Sequence, residues 1–166
     1  MAESGAQFDK GPYLSAALLC ERLLLEQDGV ASAIRIIDRV TRTAVGTSPP
    51  EKMDPFEYDL TLVTILKAGW AQGAHAFRVA LVSPLGESRN VVQQTAFFEG
   101  GEDRGVNIVG RMRIRFDLEG IYWFEVFLED KPLTRIPLRI VYLRTVTPRS
   151  PGQSGFSPQR PESPTG

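Results

Sequence analysis

The sequence GVNIVGRMRIRF, from Gly105 to Phe116, decides the fold class. Its even-numbered positions are apolar or glycine, whereas most of its odd-numbered positions are polar and three of them are arginine. A period of two residues is typical of a β-strand with one buried and one solvated face. The same alternation recurs from Tyr58 to Tyr142. The sequence therefore predicts an all-β domain, an antiparallel β-sandwich of about seven or eight strands.

Turn residues and prolines divide this alternating region into strands. Ser83–Gly86 predicts a hairpin, and the Gly100-Gly101 pair ends the strand that follows it. Tyr58–Ala68 has apolar residues on both faces, which is typical of a central strand that is covered on both sides. Pro132 and Pro137 cannot donate to a ladder, so the last strand is predicted to run along a sheet edge or to carry a bulge.

The first forty residues support two interpretations. Leu14–Gln27 is rich in leucine, alanine and glutamate, which favours a helix over Leu14–Leu24. Asp28-Gly29 followed by Ile34, Ile36 and Val40 instead favours a β-hairpin that leads into a strand. We predict the hairpin, because cross-strand pairing then covers the leucines, and the helix is the alternative.

Composition predicts one folded domain between two less ordered ends. With 166 residues, of which 42% are hydrophobic, the chain is large enough for a core without disulfides. We predict flexible residues 1–12, a β-sandwich domain over 13–146 and a disordered tail over 147–166, which holds five of the twelve prolines. Within the domain, Ala44–Phe56 is proline-rich and is predicted to be a long connection that crosses between sheets.

Charge, hydropathy and cysteine content disfavour several classes of protein. The formal net charge of −1 gives no overall field toward nucleic acid or acidic membranes. Leu14–Leu25, the most apolar early stretch, contains Glu21 and Arg22 and is too short to cross a bilayer. Cys20 is the only cysteine, which fits a reducing compartment, and the first residues lack the pattern of a secretory signal. We therefore expect a cytoplasmic protein without membrane contact.

No motif for catalysis, metal binding or cofactor binding emerges from the sequence. His75 is the only histidine, so a site with two histidine ligands is excluded. A Cys20–His75 pair is the sharpest enzymatic hypothesis, but a buried thiol and a surface imidazole explain these residues better. Glu99, Glu102 and Asp103, which bracket Gly100-Gly101, are more typical of a solvated turn than of a calcium loop. We predict no enzyme activity, no metal and no cofactor.

Large aromatic side chains are the best candidates for a contact surface. If Tyr122 and Phe124 face the core, alternation directs Trp123 and Phe127 to the opposite face, where they need cover. That cover is either another part of this chain or a partner protein. Trp70, at a predicted loop tip, is a second contact candidate, although a loop tryptophan often folds onto its own sheet.

Arg111, Arg113 and Arg115 share one face of one predicted strand and are a further candidate surface. Aromatic residues are not interleaved with them, so binding of nucleic acid is disfavoured. A solvated strand face, with pairing to Glu125 on a neighbouring strand, is the simpler interpretation.

The segment DLEGIYWF, Asp117 to Phe124, resembles the corner that enters the sixth strand of an immunoglobulin-like sandwich. A wider resemblance rests on ALLCE at 17–21, IRIIDR at 34–39, GIYWFEV at 120–126 and PLRIV at 137–141. These segments are similar to an uncharacterised bacterial family of small immunoglobulin-like β-sandwich domains. The resemblance implies the fold and no functional residues.

Together these observations favour a non-enzymatic module for protein interaction or self-association, whose partner is an unidentified protein or a second copy of the chain. The alternative is a sandwich that binds a small ligand or carbohydrate through Trp70.

Overall fold

The computed structural model describes residues 10–28, 30–101 and 103–148. These residues form nine strands and no helix, which confirms the all-β prediction. In chain order the strands are β1 (Tyr13–Leu25), β2 (Ala31–Ile36), β3 (Arg39–Gly46), β4 (Phe56–Lys67), β5 (Gly73–Val82), β6 (Ser88–Phe98), β7 (Gly105–Phe116), β8 (Gly120–Leu128) and β9 (Lys131–Val146). The described residues contain no helix that could span a membrane. Apart from residues 147 and 148, the predicted tail lies outside the described residues, as do residues 1–9 of the predicted flexible start.

The strands form two sheets that enclose one main core. One sheet has four strands in the order β2-β1-β4-β7, and the other has five in the order β3-β9-β8-β5-β6 and is curled. All neighbouring strands are antiparallel except β3 and β9, which are parallel. The core takes side chains from both sheets, such as Leu62 from β4 and Phe124 from β8. β4 lies between β1 and β7, so the prediction of a central strand is confirmed.

The N-terminal segment is a strand, and the helix alternative is wrong. β1 pairs with β2 on one side and with β4 on the other, and Leu19 is buried opposite Leu62. These two ladders provide hydrogen bonds for the backbone N–H and C=O groups of β1, which a helix would have bonded within itself. The pairing with two neighbouring strands outweighs the local helix propensity of this segment, because tertiary context often overrides such propensities.

The predicted number of strands was too low because the sequence suggested one strand where the chain forms two. Ile34 and Ile36 belong to β2 in the four-stranded sheet, whereas Val40 belongs to β3 in the five-stranded sheet. The break lies at Ile37 and Asp38. The Ile37 N–H donates to Leu19 O (2.9 Å) in one sheet, and Asp38 O accepts from Arg139 N (2.8 Å) in the other. Adjacent residues thus bond to different sheets.

The connection from β3 to β4 crosses between the sheets, as predicted, but it is shorter than the sequence suggested. Residues 44–46 belong to β3 and Phe56 belongs to β4. β9 holds the connection in place: the Tyr142 hydroxyl donates to Pro50 O (2.9 Å), and Arg144 donates to Pro49 O (3.1 Å).

The two prolines of β9 occupy positions where no donor is needed. A bulge interrupts the β8–β9 ladder between Val126 and Phe127, close to Pro132. β3 pairs with β9 only from Arg139 onward, so one side of β9 has no neighbouring strand at Pro137. β9 as a whole lies between β3 and β8 and is not an edge strand. Its proline-containing half is nevertheless a local edge and carries a bulge.

Tyr122 anchors the corner between β7 and β8. Its side chain is buried, and its ring meets Phe116 edge-on with centroids 4.9 Å apart. Its hydroxyl accepts from Leu118 N (3.2 Å) and lies within bonding distance of Leu118 O (3.2 Å) and Asp117 Oδ1 (3.3 Å). Burial raises the pKa of Tyr122. The hydroxyl thus ties the start of β8 to the corner before it.

Thr64 is a polar residue in the core without a hydrogen-bond partner among the described residues. It is fully buried on β4, and its Oγ1 bonds to no other atom there. A buried hydroxyl without a partner costs about 1–3 kcal/mol. We expect Thr64→Val, which has nearly the same shape, to raise the free energy of unfolding by about 1 kcal/mol in urea titrations. Thr61→Val on the same strand is the control. An equal gain at both positions, or a loss at Thr64, would contradict this explanation.

Candidate interaction site

The outer face of the five-stranded sheet presents Trp123 and Phe127, as alternation along β8 predicts. Tyr122, Phe124, Val126 and Leu128 are buried in the core. Trp123 and Phe127 point the other way and are half-buried. Their cross-strand neighbours are Val82 and Pro137 for Trp123, and Arg78 and Pro132 for Phe127.

Each of these rings carries an arginine stacked on its face. Arg78 Cζ lies 3.7 Å from the centroid of Phe127, and Arg135 Cζ lies 4.2 Å from the centroid of Trp123. Guanidinium groups stack on aromatic faces through cation–π attraction while their N–H edges stay free to bond. We call Arg78, Phe127, Trp123 and Arg135 the stacked-arginine face.

The two stacked arginines have no carboxylate partner among the described residues. Glu125 lies between the rings on β8, directly opposite Arg135 in the register, yet the two form no ion pair. Arginine side chains normally lose considerable rotamer freedom on binding, and stacking on a ring has already restricted these two. The arrangement can therefore accept an anionic group with little further ordering.

Trp70 lies at the tip of the turn between β4 and β5, as predicted, and its side chain is 69% exposed. Its backbone N–H donates to Lys10 O (2.8 Å), and the Lys10 ammonium lies 5.6 Å from the ring centroid. The clefts described on the surface are lined by other residues. The small-ligand alternative thus stays a prediction that depends on this one ring.

Arg111, Arg113 and Arg115 lie on the outer face of the four-stranded sheet, and all three are exposed, as predicted. The predicted partner of this row was wrong. Arg113 forms a bidentate pair with Asp59 of β4 (2.7 and 3.0 Å), whereas Glu125 belongs to the other sheet. This pairing lowers the pKa of Asp59. The guanidinium of Arg113, the central arginine of the three, is therefore already bonded to an acidic residue of the same chain.

Residues that suggested chemistry lie far apart in the topology. Cys20 is buried on β1 in the four-stranded sheet, and burial raises the pKa of its thiol. His75 lies on β5 in the five-stranded sheet, where its ring contacts Gln72 O (3.2 Å) and Glu129 Oε1 (3.3 Å). Among the described residues, no three acidic, histidine or cysteine side chains are arranged to hold a metal ion. The Cys20–His75 hypothesis is therefore wrong as a catalytic pair.

A family model matches residues 15–141, which extend from β1 into β9 and include both sheets. The chain belongs to DUF6941, a family of unknown function. The resemblance of the sequence to an uncharacterised family is confirmed at this level. No curated protein matches the chain.

The DUF6941 fold also exposes a surface that the sequence did not suggest. The hairpin of β1 and β2 carries exposed apolar side chains at both strands and at the turn, namely Leu24, Leu25, Val30, Ile34 and Ile36. A signal was present, because Leu23, Leu24 and Leu25 are consecutive and so must place leucine on both faces of the strand. We predicted that cross-strand pairing with Ile34 and Ile36 covers Leu23 and Leu25, but their partners on β2 are Ala33 and Ala31. Leu23 is buried, but its two successors are exposed.

Proposed function

We propose that this protein is a non-enzymatic interaction module that binds an acidic segment of a partner protein on its stacked-arginine face. The observation that carries the proposal is the pair of guanidinium groups that lie over the rings of Phe127 and Trp123 without an acidic partner in the described part of the chain. Arginine and tryptophan are among the residues most enriched at the energetic centres of protein interfaces. Charge-assisted bonds from arginine to carboxylate are also stronger than neutral hydrogen bonds.

The spacing of the two rings suits an extended peptide. Phe127 lies four positions after Trp123 along β8, which corresponds to about 13 Å in a strand. A partner strand that lies along β8 would present acidic side chains at positions i and i+4 to the two guanidiniums. Glu125 lies between them and would disfavour a third acidic group at position i+2, which adds selectivity.

We further propose that the domain is an immunoglobulin-like sandwich. In that fold the first, second and fifth strands are neighbours in one sheet, and the third, sixth and seventh are neighbours in the other. β1, β4 and β7 match the first set, and β5, β8 and β9 match the second. The hydroxyl of Tyr122, at the start of β8, bonds to the backbone of Leu118, which resembles the tyrosine corner of these domains. A bacterial origin and a cytoplasmic location are part of the same proposal, and the single buried thiol is compatible with the latter.

The test is peptide binding by fluorescence anisotropy. The probe is a labelled, strand-forming peptide with two glutamates four residues apart, and the control peptide carries glutamine at both positions. We expect only the glutamate peptide to bind, and its affinity to fall as salt is added. Arg78→Met with Arg135→Met should weaken binding at least about tenfold, since each charge-assisted bond contributes about 1.5–3 kcal/mol.

Two further variants separate this site from general electrostatics. Arg111→Met with Arg113→Met removes the same charge from the other sheet and should leave binding unchanged. Trp123→Ser with Phe127→Ser removes the stacking platforms and should abolish binding while circular dichroism stays that of a folded β protein. Equal loss in both arginine pairs would overturn the proposal. Unfolding of the Trp123/Phe127 variant would overturn it too, because the rings would then be a second core layer.

A further inference from the structure

β2 is a free edge of the four-stranded sheet, and it lacks the features that usually prevent edge strands from pairing. Its sequence, ASAIRI, contains no lysine and no proline, and its only charge is Arg35, which pairs with Glu21 of β1 (2.9 Å). Exposed edges without charges, prolines or bulges are templates for another strand. The positive φ of Arg35 (54°) ends the regular part of the strand, so Val30–Ile34 remains as the available edge.

The other sheet edges in the described part of the chain are better protected. β6 and β7 lie side by side where the sheets meet, and Gln94 Nε2 donates to Val109 O (3.2 Å) across that gap. β3 carries two arginines, Arg39 and Arg42, along its length. β2 is therefore the edge most open to pairing.

The hydrogen bonds of the hairpin determine which groups of β2 point outward. Glu26 N–H donates to Val30 O (2.8 Å), so the carbonyl group of Val30 is directed toward β1, while the Val30 N–H donates to Asp28 Oδ1 (3.1 Å) in the turn. Alternation along an antiparallel ladder then directs the backbone groups of Ser32 and Ile34 toward β1. It leaves the N–H and C=O groups of Ala31 and Ala33 directed away from the sheet.

We propose that a second copy of this chain pairs with β2 in antiparallel orientation, with Ser32 of one copy opposite Ser32 of the other. In this register the outward groups of Ala31 bond to those of Ala33 in the other copy, and those of Ala33 bond to Ala31. The result is one continuous eight-stranded sheet across a two-fold axis. The β2 edge belongs to the four-stranded sheet, whereas the stacked-arginine face lies on the five-stranded sheet.

Apolar side chains on β2 complement themselves in this register. Val30, which is 55% exposed, comes to lie opposite Ile34 of the other copy, which is 39% exposed, and the contact occurs twice. Leu24, across from Ser32 on β1, borders both contacts. No charged residue lies between Val30 and Ile34.

The first experiment measures oligomeric state by sedimentation velocity over a range of protein concentrations. We expect the full chain to form a dimer. Val30→Lys places a charge in the contact and should weaken association at least tenfold. Val45→Lys is the matched control, because Val45 is 65% exposed on β3, the outer strand of the other sheet, and this variant should remain dimeric. A monomeric wild type, or equal behaviour of the two lysine variants, would overturn the proposal.

The second experiment tests the register. Ser32 would form a non-hydrogen-bonded pair with its copy, with Cα atoms about 4.5 Å apart, which is within the range for a disulfide. Ser32→Cys should therefore give a covalent dimer on mild oxidation, seen on a non-reducing gel. Cys20 is buried and should not compete. Thr43→Cys, in the middle of β3, is the control and should stay monomeric on the gel. A dimer in solution without the Ser32→Cys cross-link would overturn this register, whereas peptide binding would be unaffected by either result.

Discussion

Tyr122→Ala should lower the free energy of unfolding by about 3–5 kcal/mol, the range for truncation of a buried aromatic ring. The ring is buried between the sheets and packs edge-on against Phe116, which itself contacts Phe56 at a centroid distance of 5.7 Å. Removing it leaves a cavity at the corner and also breaks the bonds from its hydroxyl to the backbone of Leu118. Urea unfolding followed by tryptophan fluorescence measures the loss.

Two control variants divide this effect into its causes. Tyr122→Phe keeps the ring and removes only the hydroxyl, so we expect a loss of about 1 kcal/mol, the typical net contribution of a hydrogen bond. Arg113→Ala changes an exposed side chain on the strand that precedes the corner and should leave the urea midpoint unchanged. If Tyr122→Phe cost as much as Tyr122→Ala, the hydroxyl network would be the main anchor and the ring packing would matter little.

The faces of most strands were predictable because the contrast between successive residues is strong. Met112, Ile114 and Phe116 are buried, and the arginines between them are exposed. The same argument placed Trp123 and Phe127 outside the core. Such assignments need only the period of the strand, which each strand carries in its own sequence.

Topology was harder to predict because it depends on partners that are distant in sequence. The split between β2 and β3 follows from the parallel pairing of Arg39–Gly46 with the end of β9, about a hundred residues later. The sequence around Asp38 contains no signal that predicts the pairing of β3 with β9. The stacked arginines were missed for the same reason. Arg78 reaches Phe127 from β5, and Arg135 reaches Trp123 from β9, so both contacts depend on the register of three strands.

The exposed hairpin shows a second limit of sequence patterns. Apolar residues on both faces of a strand are typical of a buried central strand, and this holds for β4. Leu24 and Leu25 have the same pattern, but they lie on the projecting hairpin of β1 and β2 and are exposed. Whether such a strand is covered is decided by the layers around it, which belong either to the same chain or to a second copy.

Phe124→Ala should cost about 3–5 kcal/mol, whereas Trp123→Ala, one residue away on the same strand, should cost about 1 kcal/mol. Phe124 is fully buried in the core, and its truncation leaves a cavity that the two sheets cannot close. Trp123 is half-buried on the outer face, where the guanidinium of Arg135 lies over its ring. Because Trp123 is one of the fluorophores, the pair is best compared by circular dichroism during urea unfolding. Comparable losses at both positions would mean that the outer face is packed like a core, and the stacked-arginine face would then have no free surface for a partner.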